Sequence, residues 1–306
     1  MSVTVIIPNY NNAPFLTQCL DSVRADDAVQ SIIIYDNASQ DGSVELIERM
    51  AEPKIVLIRG EANLGATRAR HHAVQLSTTE YIQFLDGDDF LDPGTVQAGY
   101  AAARDFDLDF AIPDMMRVNL DGGGRREFII RPTDILDGDA AFMMTLGGWK
   151  IHPMGVMRRK TYLKAARRFD FHGFSDDEIL TCHLFLHASR VGGCAGAYNY
   201  RIVDKPVTSE TLVGRLRTEI RMLALAVQSD IAGQEAFLRR LRNSMVRALV
   251  GLLRRTAFGP VDWHSLRSLH AEFARIDLPW RLADRPYQAA ASIVSLSVKA
   301  GWRHDG

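Results

Sequence analysis

Over the first hundred residues, short runs rich in β-branched side chains alternate with stretches whose apolar positions recur every three or four residues. Val3 to Ile7, Ser31 to Tyr35, Ile55 to Ile58 and Tyr81 to Leu85 have the character of strands. Between the first two, Pro14 to Val23 sets Phe15, Leu16, Cys19, Leu20 and Val23 at helical spacing, with Asn11 or Asn12 as the cap and proline near the first turn. Ser43 to Met50 and Ala66 to Leu76 read as the next two helices. This order predicts an α/β fold with a mostly parallel sheet flanked by helices.

Beyond residue 105 the pattern changes. Met115 to Leu120 and Arg125 to Ile130 flank an Asp-Gly-Gly-Gly turn and predict a hairpin. A helix near Gly138 to Leu146, a short strand at Met154 to Met157 and a helix from about Asp176 to His187 follow. From Leu212 onward the pattern is almost wholly helical. The expected organisation is two halves of one domain, 1–105 and 106–210, followed by a helical extension over 211–306.

In parallel sheets, ligands bind outside the carboxyl ends of the strands. The polar residues in those places are Pro8, Asn9, Tyr10 and Asn11 after the first strand, Asp36 and Asn37 after the second, and Asp86, Asp88 and Asp89 after the fourth. Three carboxylates in four positions repel one another unless something positive offsets them. Hard divalent ions such as Mg²⁺ bind through one or two carboxylates plus substrate phosphates. Tyr10 offers a face on which a base can stack, worth about 1–3 kcal/mol in stacking systems, or else is a packing residue at the rim. Asp36 and Asn37 either hydrogen-bond a base or ribose or simply form a turn.

Composition removes some classes of function. With 36 basic and 37 acidic residues among 306, the formal charge is -1, and no global field draws the chain to nucleic acid. The 47% apolar share supplies a full core. Three widely spaced cysteines without metal-like pairing suit a reducing compartment. The N-terminus has no signal-peptide pattern, and no run reaches the roughly 18 apolar residues of a membrane span. A cytoplasmic protein is the expectation, peripheral at the inner membrane face if Arg239 to Arg255 touches lipid. That segment interleaves six arginines with leucines and a methionine and contains no acid, as interfacial helices do. Packing on the core or a homodimer contact are its alternatives.

The runs VTVIIPNYNNAPFLTQCLDSV, SIIIYDNASQDGS and EYIQFLDGDDFLDPGTV, in that order, resemble the family 2 glycosyltransferases with the GT-A fold. Such enzymes carry a strand ending in Pro-x-Tyr-Asn, a second ending in Asp-Asp or Asp-Asn before Ser-x-Asp-Gly, and a third ending in Asp-x-Asp. The loop EANLGATRARHHA resembles the family's Asn-x-Gly-x-x-x-Ala-Arg-Asn segment, with His71 where Asn is usual. SDDEIL looks like the family's Glu-Asp motif, Asp176 standing in the Glu position. Without the resemblance, acids at a helix start are ordinary.

The resemblance implies a metal-dependent, inverting transfer of sugar from a nucleotide-diphospho-sugar to a glycan or lipid-linked hydroxyl acceptor, as in surface polysaccharide or glycolipid synthesis. It implies Asp177 as the catalytic base and Asp88 as ligand to Mn²⁺ or Mg²⁺. Pro8, Tyr10, Asn11, Asp36, Asn37, Asn63, Arg70, Asp86 and Gly87 then bind the nucleotide-sugar. AYNYRIVDKPVTS resembles the family's Tyr-Arg segment, an acceptor-side loop; on its residues alone it is an edge strand leading to a turn at Pro206. Trp149, Lys150 and His152 suit either sugar recognition or the core. The alternative functions are a nucleotide-sugar-binding relative without transfer, a nucleotidyltransferase, and a phosphohydrolase using Asp86 and Asp88. The last expects its motif near the chain start with Thr or Val where Phe90 stands.

Overall fold

The computed structural model describes residues 3–145, 149–167, 169, 171 and 176–202, with isolated positions between 218 and 229. The chain divides into two compact units, Met1–Asp204 and Lys205–Gly306. All the elements below belong to the first. Nearly all of the expected helical extension, including the arginine-rich segment 239–255 with its membrane and dimer readings, lies outside the described residues.

The elements run in order as β1 (Val3–Asn9), α1 (Ala13–Arg24), β2 (Val29–Asp36), α2 (Ser43–Met50), β3 (Ile55–Arg59), α3 (Ala66–Leu76) and β4 (Tyr81–Phe84). There follow β5 (Phe90–Leu91), α4 (Thr95–Asp105), β6 (Phe110–Val118), β7 (Arg126–Ile129) and α5 (Gly138–Thr145). The unit continues with β8 (Val156–Arg158), α6 (Arg159–Ala166), α7 (Asp176–Leu186) and β9 (Val191–Arg201).

The strands form one sheet in the order β3-β2-β1-β4-β8-β6-β9-β5, with β7 paired to β6. The β1 to β4 core is parallel, β8 is antiparallel to β4 and to β6, and β6 and β9 are parallel. β1 is buried at all seven positions and β2 at its last five, which is why these strands read as near-continuous apolar runs. Ile6, Ile7, Ile32, Ile34 and Ile82 are fully buried, and helix α1 turns Leu16, Cys19, Leu20 and Val23 inward at the expected spacing.

Of three local expectations, the first is refined, the second corrected and the third decided for one of its alternatives. Asn12 is the N-cap of α1 but makes no side-chain cap; Asp41 from the next crossover accepts the Ala13 N–H at 2.8 Å instead. Packing between loops, which no local spacing encodes, supplies that cap. The AYNYR segment is not an edge strand or a loop. It ends β9, which lies between β6 and β5, and its partners, Met115 to Val118, come from the predicted hairpin. Finally, His152 belongs to the core: its ring bonds the Pro113 carbonyl through Nε2 (3.0 Å) and accepts the Met154 N–H at Nδ1 (3.1 Å). Lys150 is exposed and Trp149 half-buried.

Among the described residues, no helix is long and apolar enough to cross a membrane.

Candidate active site

The parallel register brings the ends of β1 and β2 side by side, with Asn9 opposite Asp36. Both are buried. Asn9 Nδ2 donates to Asp36 Oδ1 (2.8 Å) and to the Ser39 hydroxyl (3.1 Å). Asp36 also accepts the Ser39 hydroxyl (2.6 Å) and the Ser39 N–H (2.9 Å). A carboxylate accepting three short bonds costs little to bury, and here it folds the loop after β2 against the loop after β1.

The neighbours complete that corner. Asn11, at a left-handed φ of 55°, accepts the Gln40 N–H at 2.8 Å, and its own N–H donates to the Ser39 hydroxyl at 3.0 Å. Asn37 is buried; its carbonyl oxygen accepts the Leu64 N–H at 3.2 Å. Asn63 accepts the Gly65 N–H at 2.9 Å. Gly65 then starts α3 at a φ of 82°, a region where a side chain is strained. Tyr10 is 46% exposed beside this framework.

The acidic loop after β4 packs directly on the same corner. A Cβ at Gly87 would lie 3.0 Å from Asn9 Oδ1, 3.0 Å from Asn12 Nδ2 and 3.4 Å from the Pro8 carbonyl. Glycine therefore lets the loop approach β1, and the buried Asn9 Oδ1 has no hydrogen-bond donor. Asp86 is ion-paired with Arg70 of α3, whose side chain is largely buried and lies 5.6 Å from the centroid of the Phe84 ring. Burial opposes the guanidinium charge, and Asp86 overrides it so that the pKa of Arg70 is raised; Asp177 adds to the effect.

Asp89 is 1% exposed, buried within the protein. It accepts the Tyr198 hydroxyl at Oδ2 (2.7 Å) and the Arg201 N–H at Oδ1 (2.8 Å). The Tyr198 hydroxyl in turn accepts the Asp86 N–H at 3.1 Å. Arg201 is buried between the Phe15 and Phe90 rings, 4.8 and 5.0 Å from their centroids. It donates to the carbonyls of Asp88 and Leu120 and to the Gln18 side chain. Tyr198, Arg201 and Gln18 thus fix the acidic loop, and of the three only Arg201, in the segment that resembles the family's Tyr-Arg motif, had any signal in the sequence. The motif match at Tyr200 and Arg201 was the available signal. Tyr200 itself is 41% exposed.

At the start of α7, Asp176 is buried and Asp177 exposed. The helix N-terminus favours both carboxylates, and the Asp177 charge adds to the upward shift of Arg70.

The family model for glycosyl transferase family 2 matches residues 4–164, slightly more than half of the chain. The chain belongs to glycosyltransferase family 2. Within the family, it is 24% identical over 216 residues to a poly(ribitol-phosphate) beta-glucosyltransferase of Bacillus spizizenii, covering 67% of this chain and 33% of that protein. It is 28% identical over 227 residues to the uncharacterized glycosyltransferase YibD of Escherichia coli, covering 71% and 64% of the two. The chain thus spans one third to just under two thirds of these relatives. The crystal structure of residues 1–349 of TarS from Staphylococcus aureus superposes with a TM-score of 0.68 at 16% identity, covering all of this chain and 92% of that one. The fold is accordingly the GT-A type that the family motifs imply, and TarS has also been crystallised with UDP and with UDP-GlcNAc.

Proposed function

We propose that this chain transfers a sugar from a nucleotide-diphospho-sugar to a hydroxyl acceptor with inversion at the anomeric carbon. The observation that carries the reading is the gathering of Asn9, Asp36 and the acidic loop that begins at Asp86 at the adjoining ends of β1, β2 and β4, with Arg70 paired to Asp86. Polar strand ends beside a guanidinium suit a nucleoside diphosphate, and the exposed Asp177 is the carboxylate that would accept the acceptor's proton.

Tyr10 offers its exposed ring to the base, and the Asn37 side chain, held by Leu64, reads the base or ribose edge. Pro8, Asn11, Asp36 and Asn63 shape the walls against which the nucleoside lies. Arg70 orients the diphosphate through charge-assisted bonds once its pairing with Asp86 loosens. Among the described residues, no three His, Cys, Asp or Glu side chains are placed to hold an ion unaided. The hard oxygen donors of Asp86 and Asp88 nonetheless suit Mn²⁺ or Mg²⁺ shared with ligand phosphates, and the ion would offset charge on the departing diphosphate. The acceptor oxygen attacks the sugar carbon from the face opposite the diphosphate, and its proton passes to Asp177. The bond from that carbon to the diphosphate oxygen breaks, its electron pair staying with the diphosphate.

The UDP complexes of TarS make a uridine diphosphate sugar the first donor to test, and the named relatives make a polyol-phosphate polymer the first acceptor. A bacterial-type surface polymer made at the cytoplasmic side of the membrane is the corresponding setting. Asp177→Asn should leave UDP binding in a thermal-shift titration with Mn²⁺ within about twofold while cutting sugar transfer by about 10²–10⁴-fold. Asp88→Ala should remove the Mn²⁺-dependent part of the UDP shift. Transfer at the wild-type rate in Asp177→Asn would remove the base. Failure of UDP, GDP, TDP and CMP alike to raise the wild-type melting temperature would sink the reading as a whole.

A further inference from the structure

At the opposite, amino-terminal end of the parallel strands lies a cavity of about 360 Å³. The register locates it: Arg158 pairs with Tyr81, the first residue of β4, whereas the acidic loop follows the last. Among the described residues, its walls carry four cations, Arg158, Lys160, Lys164 and Arg190, against two carboxylates, Asp107 and Asp109.

The carboxylates are committed to the frame. Asp109 accepts the Thr161 hydroxyl (2.6 Å) at Oδ1 and the N–H groups of Ser189 (2.6 Å) and Arg190 (3.3 Å) at Oδ2. Asp107 and Glu80 accept from the two ends of the buried Arg158 guanidinium, at 2.5 and 2.8 Å. That leaves Lys160, Lys164 and Arg190, none of which pairs with a carboxylate among the described residues. Arg190 is oriented by its Nε–H, which donates to the Phe106 carbonyl at 3.0 Å.

The placement of these cations works against the helix that bears two of them. Lys160 sits in the first turn of α6, at the positive end of its dipole, where cations are disfavoured. Lys160 and Lys164 are like charges four apart, a pair that destabilises a helix. The first turn has no acid, and no side chain caps it. Local stability would favour the reverse pattern, so the arrangement makes sense if an anion completes it. We propose that this cavity is a binding site for a phosphate-bearing ligand, separate from the strand ends that carry Asp86 and Asp88. Two ammonium groups from α6 and a guanidinium from the segment before β9 suit the several oxygens of a tetrahedral oxyanion better than the two of a carboxylate. The volume also admits the groups esterified to it.

The test is a calorimetric titration of the full chain at constant ionic strength, with chloride as the reference anion. The probes are inorganic phosphate, glycerol 3-phosphate for a free phosphomonoester, and a glycerol phosphodiester oligomer for a polymer. Saturable binding of at least one probe is expected, weakened roughly tenfold or more in Lys160→Gln/Lys164→Gln. It should be restored in Lys160→Arg/Lys164→Arg and be unaltered in Asp88→Ala. Preference for the oligomer assigns the site to a polymer and preference for glycerol 3-phosphate to a metabolite. The absence of saturable binding by every probe would overturn the proposal, as would equal affinity in the glutamine variant. Both lysines are exposed, so neither variant threatens folding.

Discussion

The Tyr198 hydroxyl donates to Asp89 Oδ2 at 2.7 Å and accepts the Asp86 N–H at 3.1 Å, so one phenol holds both sides of the acidic loop. The loop's shape is therefore set by strand β9, more than a hundred residues further along the chain.

Removing that hydroxyl leaves a buried carboxyl group and a backbone N–H short of a partner. Tyr198→Phe should lower stability by about 1–3 kcal/mol, read as a lower urea midpoint with unchanged slope. If the midpoint is unmoved, the hydroxyl does not hold the loop.

Burial, then the charges of Asp86 and Asp88, push Asp89 up to about 8 from its ordinary 3.8, against the pull of its two hydrogen bonds. A carboxyl that holds its proton better folded than unfolded favours the fold most below about pH 4. That contribution declines as pH rises and is gone above about 8. Asp89→Asn, which mimics the protonated group, should keep the fold and flatten this decline in melts across the range. An equally steep decline in the variant would assign it to another group.

The Arg70 and Asp86 pair is partly shielded, with side chains 11% and 27% exposed. Arg70→Gln strands the Asp86 carboxylate and should cost on the order of 2–3 kcal/mol, somewhat less than a fully buried pair. It should also weaken nucleotide diphosphate binding more than nucleoside binding. Equal losses for the two ligands would show that Arg70 does not meet the phosphates.

His152 gives a pH dependence of the opposite sign. Burial holds its pKa down at about 4, below the ordinary 6.5, despite the bond to the Pro113 carbonyl. The unfolded chain therefore takes up a proton that the folded ring refuses, and stability should fall as pH drops from about 6.5 toward 4. Comparing pH-dependent melts of wild type and His152→Gln checks this, since the variant should lack that component.

Much of the first half of the fold was legible because β1, β4 and most of β2 are buried on both faces and α1 has a clear apolar stripe. The predicted α2 and α3 match the observed Ser43–Met50 and Ala66–Leu76. Helices α4 and α6 were missed: α4 is alanine-rich, and α6 opens on Arg159 and Lys160. Strand β9 was misjudged because Gly192, Gly193, Gly196 and Asn199 weaken a strand pattern whose pairing partners are distant.

The sequence by itself determined the α/β order, the family motifs and the gathering of polar residues after β1, β2 and β4. Those features follow from local periodicity and from the rule that a parallel sheet presents its strand ends together. Only the tertiary structure decided how the three aspartates divide. Asp86 meets Arg70, Asp88 has its backbone carbonyl held by Arg201, and Asp89 turns inward to Tyr198. Identical side chains in adjacent positions carry no local signal of direction; their orientation depends on which distant donors the fold brings within hydrogen-bond reach.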